Sequence, residues 1–132
     1  MTSPWEDASY EPWTPTDAEN ALRWVLRAMH DAARQLADLR NEEVAAKHDF
    51  EAAKRRAFFA GDCPKVERGG YTVADREAYI ERATVDQRQA YELASAAKEA
   101  AQDHLRTLNS QSVVMSALAK NVHATWNVVG AR

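Results

Sequence analysis

The chain has little that punctuates or cross-links. Its 132 residues include one cysteine, four glycines and four prolines. A single thiol, Cys63, cannot form an internal disulfide and offers no metal-ligand cluster; it fits a reducing compartment. No apolar run approaches the length of a membrane span, so none is expected. The opening "MTSPWEDASYEPWTPTD" has no basic start followed by an apolar stretch, so no secretory leader is expected either. Catalytic groupings are also missing. His30, His48, His104 and His123 lie far apart, and none has a His or Cys at i+3 or i+4. The Ser and Cys side chains lack a nearby base, and no glycine-rich phosphate cradle occurs. The expectation is a protein that is not an enzyme and holds no metal or cofactor.

What is present is charge and helical periodicity. Charged residues make up 28% and apolar residues 45%, enough for one modest core in a chain of this length. The net charge of −3 argues against wrapping around nucleic acid, but its distribution is uneven. Residues 1–21 carry Glu6, Asp7, Glu11, Asp17 and Glu19 with no cation. Residues 47–71 carry six cations against four anions. An acidic arm and a locally basic turn are what the total conceals.

Residues 1–15 form a proline- and tryptophan-containing arm, with Pro4, Pro12 and Pro15 interleaved with Trp5, Tyr10 and Trp13. Such a segment is too short to fold alone and too rich in proline to be helical. It is either a solubilising tail or a tryptophan-anchored contact for another subunit or protein. Thr16 and Glu19 have capping-box spacing, and no Gly or Pro follows until Gly61. A helix over 16–60 is predicted, a rod of about 66 Å at 1.5 Å per residue. Leu22, Met29, Leu36, Glu43, Phe50 and Ala57 fall in one heptad column; Val25, Ala32, Leu39, Ala46, Ala53 and Ala60 fall in the other. All but Glu43 are apolar, the pattern of a packed stripe. A charge buried in that column needs a partner, which the sequence does not identify.

Gly61, Pro64, Gly69 and Gly70 mark a loop over 61–71. Thr72 and Asp75 signal a second helix start, and a helix over 72–108 is predicted. Val73, Ile80, Ala94, Ala101, Leu108, Met115, Val122 and Val129 recur at multiples of seven, with Gln87 interrupting. The expected fold is all-α: a long antiparallel helical hairpin forming one domain over 16–130. Centred on the loop, residue 22 faces about residue 110, and everything past 113 has no partner. The polar run "NSQS" (109–112) reads as a joint, with Ser112 capping a separate C-terminal helix over 112–129. Val113, Val114, Met115, Leu118, Val122, Trp126 and Val129 make that helix apolar beyond a single stripe. Left in water it would aggregate, so it is expected to oligomerise. The alternative is that it folds back under the Trp5/Trp13 arm.

The hairpin tip carries the chemistry. Lys47, Lys54 and Arg55 share a face of the first helix by i, i+7 and i, i+8 spacing, with Arg56 alongside. Lys65 and Arg68 stand in the loop, and Arg76 and Arg82 lie across on the second helix. Phe58, Phe59, Tyr71 and Tyr79 gather at the same end. Cations that track a phosphate backbone, beside rings on which bases stack, are what sequence-tolerant single-strand binding requires. The plainer reading has the rings closing the hairpin and the cations pairing at i, i+4 with Glu51, Asp75 and Glu81. One tip gives few phosphate contacts, so several copies would be needed for useful affinity.

The segments "LADLRNEEVAAKHDFEAAKRRAFFAG", "DCPKVERGGYTVADREAY" and "SQSVVMSALAKNVHA", with the Ala-rich return between them, resemble in order the UvsY-like recombination mediators of tailed phages. The resemblance spans roughly residues 30–125 and rests on order of features rather than a diagnostic motif. It implies a ring-forming helical protein that binds single-stranded DNA and helps load a recombinase onto strands coated by single-strand-binding protein. It implies DNA contacts at Lys54, Arg55, Arg56, Phe58, Phe59 and Arg76, and assembly through 113–129. It also implies a cytoplasmic setting, that of a bacterial host for a phage-encoded chain. The acidic total and the tryptophan arm depart from that pattern. The expectation from another class is a non-enzymatic coiled-coil adaptor, assembly chaperone or inhibitor.

Overall fold

The structure is a computed structural model and describes residues 13–130. It is all-α: α1 (Pro15–Phe58), α2 (Val73–Ala83) and α3 (Val85–Gly130). Among the described residues no strand forms, and only a single bridge joins Val66 to Tyr71 in the loop. None of the helices is long and apolar enough to cross a membrane. The expected arm lies outside the described residues, except for Trp13, Thr14 and Pro15.

Helix α1 begins earlier than its expected cap. The Asp17 amide donates to Thr14 Oγ1 at 3.2 Å, and the Thr14 amide donates to Asp17 Oδ2 at 2.9 Å. The reciprocal box is therefore Thr14/Asp17 and not Thr16/Glu19. Pro15 decides this, because its fixed φ and missing N–H suit the first helical position. At the other end Arg55 and Arg56 stand in the last turn, where the helix dipole favours cations. The second box forms where expected: Thr72 accepts from the Asp75 amide, and Asp75 accepts from the Thr72 amide at 2.8 Å.

The helix expected over 72–108 is broken at Thr84. The Thr84 amide closes α2 on the Glu81 carbonyl, and its hydroxyl donates to the Ile80 carbonyl at 2.8 Å. Its own carbonyl accepts from the Arg88 amide and so opens α3. The joint expected at 109–112 does not exist, because α3 runs through it. The Ser112 hydroxyl donates back to the Asn109 carbonyl and that of Ser116 to the Ser112 carbonyl. Hydroxyls that bond back along the helix continue it instead of capping a new one. There is thus no separate helix over 112–129.

Among the described residues the expected single domain divides into two compact units, one made of the residues up to Leu36 with those from Ala101 onward, the other of Ala37–Ala100. In the first unit Ala18, Ala21, Val25, Ala32 and Leu36 are buried, as are Leu108 and Ala119. Val25 is fully buried, which is worth about 1.5–3 kcal/mol for a side chain of its size. In the second unit Ala53, Ala57, Cys63 and Thr84 are buried. None of the twelve heptad positions is exposed; eleven lie in α1 and Ala60 just past its end. On the return, Ala94, Ala101, Leu108, Met115 and Val122 are buried or half-buried, while Val73 and Val129 at the ends are exposed.

The register differs from the expected one. In the second unit Glu43 meets Lys98, where centring on the loop gives residue 89, and the Phe50 ring lies 6.2 Å from that of Tyr91. In the first unit Glu19 meets His123, where centring gives residue 113. The return leg in each case starts from Val85 and not from Thr72, because α2 is a separate element without a buried residue. The residues past 113 are consequently not partnerless. Ala119 is buried, His123 Nε2 lies 3.9 Å from Glu19 Oε1, and Trp126 Nε1–H donates to the Trp13 carbonyl at 3.3 Å. That is the fold-back alternative, at its Trp13 end.

Candidate nucleic-acid interface

The last turn of α1 presents two faces, each built by i, i+4 spacing. Lys54 and Phe58 stand on one, directed to a groove shared with α2. Arg56 and Phe59 stand on the other, with Arg55, four residues before Phe59, at the border because it also lines the groove. Helix α1 ends at Phe58, yet the Phe59 amide still donates to the Arg55 carbonyl at 3.1 Å, so Phe59 keeps its helical position.

The rings differ in what covers them. Lys54 Nζ sits 4.5 Å from the centroid of Phe50, and the Arg76 guanidinium carbon 5.1 Å from that of Phe58. Both are cation–π distances. Phe58 and Phe59 meet edge to face at 5.0 Å and 84°. Phe58 is 44% exposed, Phe59 80% and Tyr71 60%. Tyr79 is half-buried.

The pairing that would neutralise the cations does not form. Among the described residues no ion pair includes Lys47, Lys54, Arg55, Arg56, Lys65, Arg68, Arg76 or Arg82. Of the three acids expected to serve them, Glu51 enters no ion pair among the described residues and the other two are engaged elsewhere. Glu81 Oε1 accepts from Arg88 at 2.9 Å, and the Asp75 carboxylate is held by the backbone and hydroxyl of Thr72. Those hydrogen bonds, the backbone one first, hold the Asp75 carboxyl below its ordinary range. Arg76 is half-buried and the other seven cations are exposed.

The loop is shaped by its own backbone. The Gly70 amide donates to the Glu67 carbonyl at 3.1 Å, and the Glu67 amide to the Tyr71 carbonyl at 3.4 Å. Gly69 has φ +81°, a conformation side-chain-bearing residues rarely adopt. This turn holds Lys65 and Arg68 outward and closes on Tyr71. Cys63, in the same loop, is buried.

A groove of about 720 Å³ separates α1 from α2. Phe50, Phe58 and Ile80 give it an apolar lining, and Glu51, Glu77 and Glu81 stand in it beside Lys54, Arg55 and Arg88. Sequence reasoning missed this groove, since it follows from the Thr84 break. The Lys54–Phe50 contact was readable as an i, i+4 pair; the Arg76–Phe58 contact depends on how α2 lies and was not.

Among the described residues no group of His, Cys, Asp and Glu is placed to hold a metal. Of the expected oligomerisation residues, Val113 (70% exposed), Val114, Leu118, Trp126 and Val129 are exposed, while Met115 and Val122 are half-buried. No protein-family model, curated protein or solved structure matches the chain.

Proposed function

We propose that the chain is a phage-type recombination mediator: an oligomer that binds single-stranded DNA and assists recombinase loading. One observation carries the DNA-binding part. Among the described residues no ion pair includes Arg55 or Arg56, and beside them stands a ring that is 80% exposed. Unpaired surface cations draw phosphates, and an open ring offers a stacking surface that any base can use. The mediator role comes from the resemblance alone and is tested separately.

The fold proposed for this role is the antiparallel helical hairpin with an oligomerising C-terminal stretch. From Thr107 to Gly130 the one Lys, Arg, Asp or Glu is Lys120, and valines and leucine lie exposed along the same stretch. Interface cores are depleted of charge in this way. Side-by-side copies would multiply the few phosphate contacts of each tip.

The test is titration of a labelled single strand at several salt concentrations. Affinity should fall by about 0.7 log units per log unit of salt for each phosphate contacted. Lys54/Arg55/Arg56→Ala should flatten that slope and weaken binding. Absence of salt-sensitive binding overturns the proposal. Stimulation of a recombinase on strands coated with single-strand-binding protein tests the mediator role.

The apolar groove favours a second reading, a non-enzymatic adaptor that receives a partner protein. Residues 1–15 separate the two: their deletion abolishes an adaptor's contact through the tryptophan arm and leaves DNA binding by the tip in place.

A further inference from the structure

We propose that Phe59 is the base-stacking platform of the tip, and that Arg76 is a positioning residue that immobilises Phe58 against it. This rests on the single-strand-binding reading and assigns the roles within that site.

Three rings near the end of α1 are candidates, and two are already covered. Phe50 carries the Lys54 ammonium over its face at 4.5 Å and is half-buried. Phe58 carries the Arg76 guanidinium at 5.1 Å and meets Phe59 as well. A base stacking on either would have to displace a cation from the ring face. Phe59 has no cation over it, and its 84° contact with Phe58 leaves it 80% exposed.

Charge sets the path of the strand in the same direction. On the Phe58 side the groove sets Glu51, Glu77 and Glu81 against Lys54, Arg55 and Arg88, so its charges balance and offer a phosphodiester chain no net attraction. Arg55, at the edge of that groove, and Arg56 stand one helical turn back from Phe59 at i−4 and i−3, so a base on Phe59 has its phosphates near two cations that no ion pair among the described residues engages. Tyr71 is 60% exposed as well, but it belongs to the loop between α1 and α2 and has no cations one helical turn behind it.

Stacking on an exposed ring predicts a distinctive set of variants. With labelled oligothymidylate read by fluorescence anisotropy, Phe59→Ala should weaken binding on the order of ten-fold, and Phe59→Trp should restore it where Phe59→Leu does not. The slope of affinity against salt should stay at the wild-type value, because no phosphate contact is removed. The thermal melt should stay in place, since the ring is mostly in water. Arg76→Gln should weaken binding less than Phe59→Ala and also keep the melt. The proposal is overturned if Phe59→Ala binds as wild type, or if Phe58→Leu or Tyr71→Ala with an intact melt loses more than Phe59→Ala. Failure of the wild-type protein to bind any strand is a different result, and it overturns the underlying DNA reading together with this one.

Discussion

Lys98 Nζ reaches both oxygens of Glu43, at 3.0 and 2.9 Å, at the one charged position in the heptad columns of α1. The hydrogen bond from Lys98 is the chief reason that the Glu43 carboxyl titrates below its ordinary range; partial burial opposes it, and Ser95 and Lys47 add to the lowering. Glu43 therefore occupies a place where the pattern calls for an apolar side chain, and Lys98 reaches it from outside the column of the return leg.

Removing one partner should cost more than removing both. Lys98→Met leaves Glu43 in the seam without its counter-charge and should lower the urea midpoint. The double variant Glu43→Leu/Lys98→Met should recover that loss or exceed the wild type, because two packed apolar side chains replace a pair that had to be desolvated. A double-mutant cycle with no coupling between the sites would show that the contact does not contribute in solution.

Acid should weaken the fold through three carboxylates. Asp17, Glu43 and Asp75 all have folded pKa values below their unfolded ones. A depressed pKa means the folded state releases its proton more readily, so the stabilisation is fully present above the unfolded value. It is lost as pH falls through the folded value. The midpoint should be flat from neutrality down to the ordinary carboxylate range and should fall below it. Glu43→Gln should reduce that acid slope, as measured by urea titrations at stepped pH.

The capping box of α2 is a local support. Thr72→Ala removes the acceptor for the Asp75 amide and should cost about 1 kcal/mol, while Thr72→Ser should preserve the cap. Amide exchange over 73–83 is the measurement, and faster exchange there alone is the expected pattern.

Core burial divides neighbouring residues sharply. Val25→Ala should cost about 2 kcal/mol because the side chain is fully enclosed, whereas Leu26→Ala, at an exposed site, should fall within about 0.5 kcal/mol of wild type. Phe50→Ala falls between a core ring and a surface one, at about 2 kcal/mol, since the ring is half-buried.

Self-association should depend on the exposed residues of the last part of α3. Val114→Asp and Trp126→Asp each put a charge on that surface and should release smaller species in sedimentation. Val114→Asp is the cleaner variant, because Trp126 also donates to the Trp13 carbonyl. Unchanged mass in both would remove the assembly proposal.

The heptad columns of α1 could be read directly, since an uninterrupted helical period leaves one solution for which face is covered. The register could not. It depends on the break at Thr84, a β-branched residue before Val85 with neither glycine nor proline to mark it. Its hydroxyl turns inward to the Ile80 carbonyl, a choice invisible to spacing rules. The same ambiguity misled at 109–112, where serines that can cap a helix instead bond along it. At the tip, composition located the cations and rings. Which ring is covered depends on Arg76 reaching Phe58 from another helix, and no count of residues encodes that.

Helix α2 leaves none of its residues buried, and the antiparallel contacts of residues 37–100 begin on either side of it. Helix α2 is therefore an insert that contributes no buried side chain to the scaffold. Its length and chemistry are open to change by drift or by design, provided both ends return to the same two points. A lineage of such chains would be expected to vary fastest here.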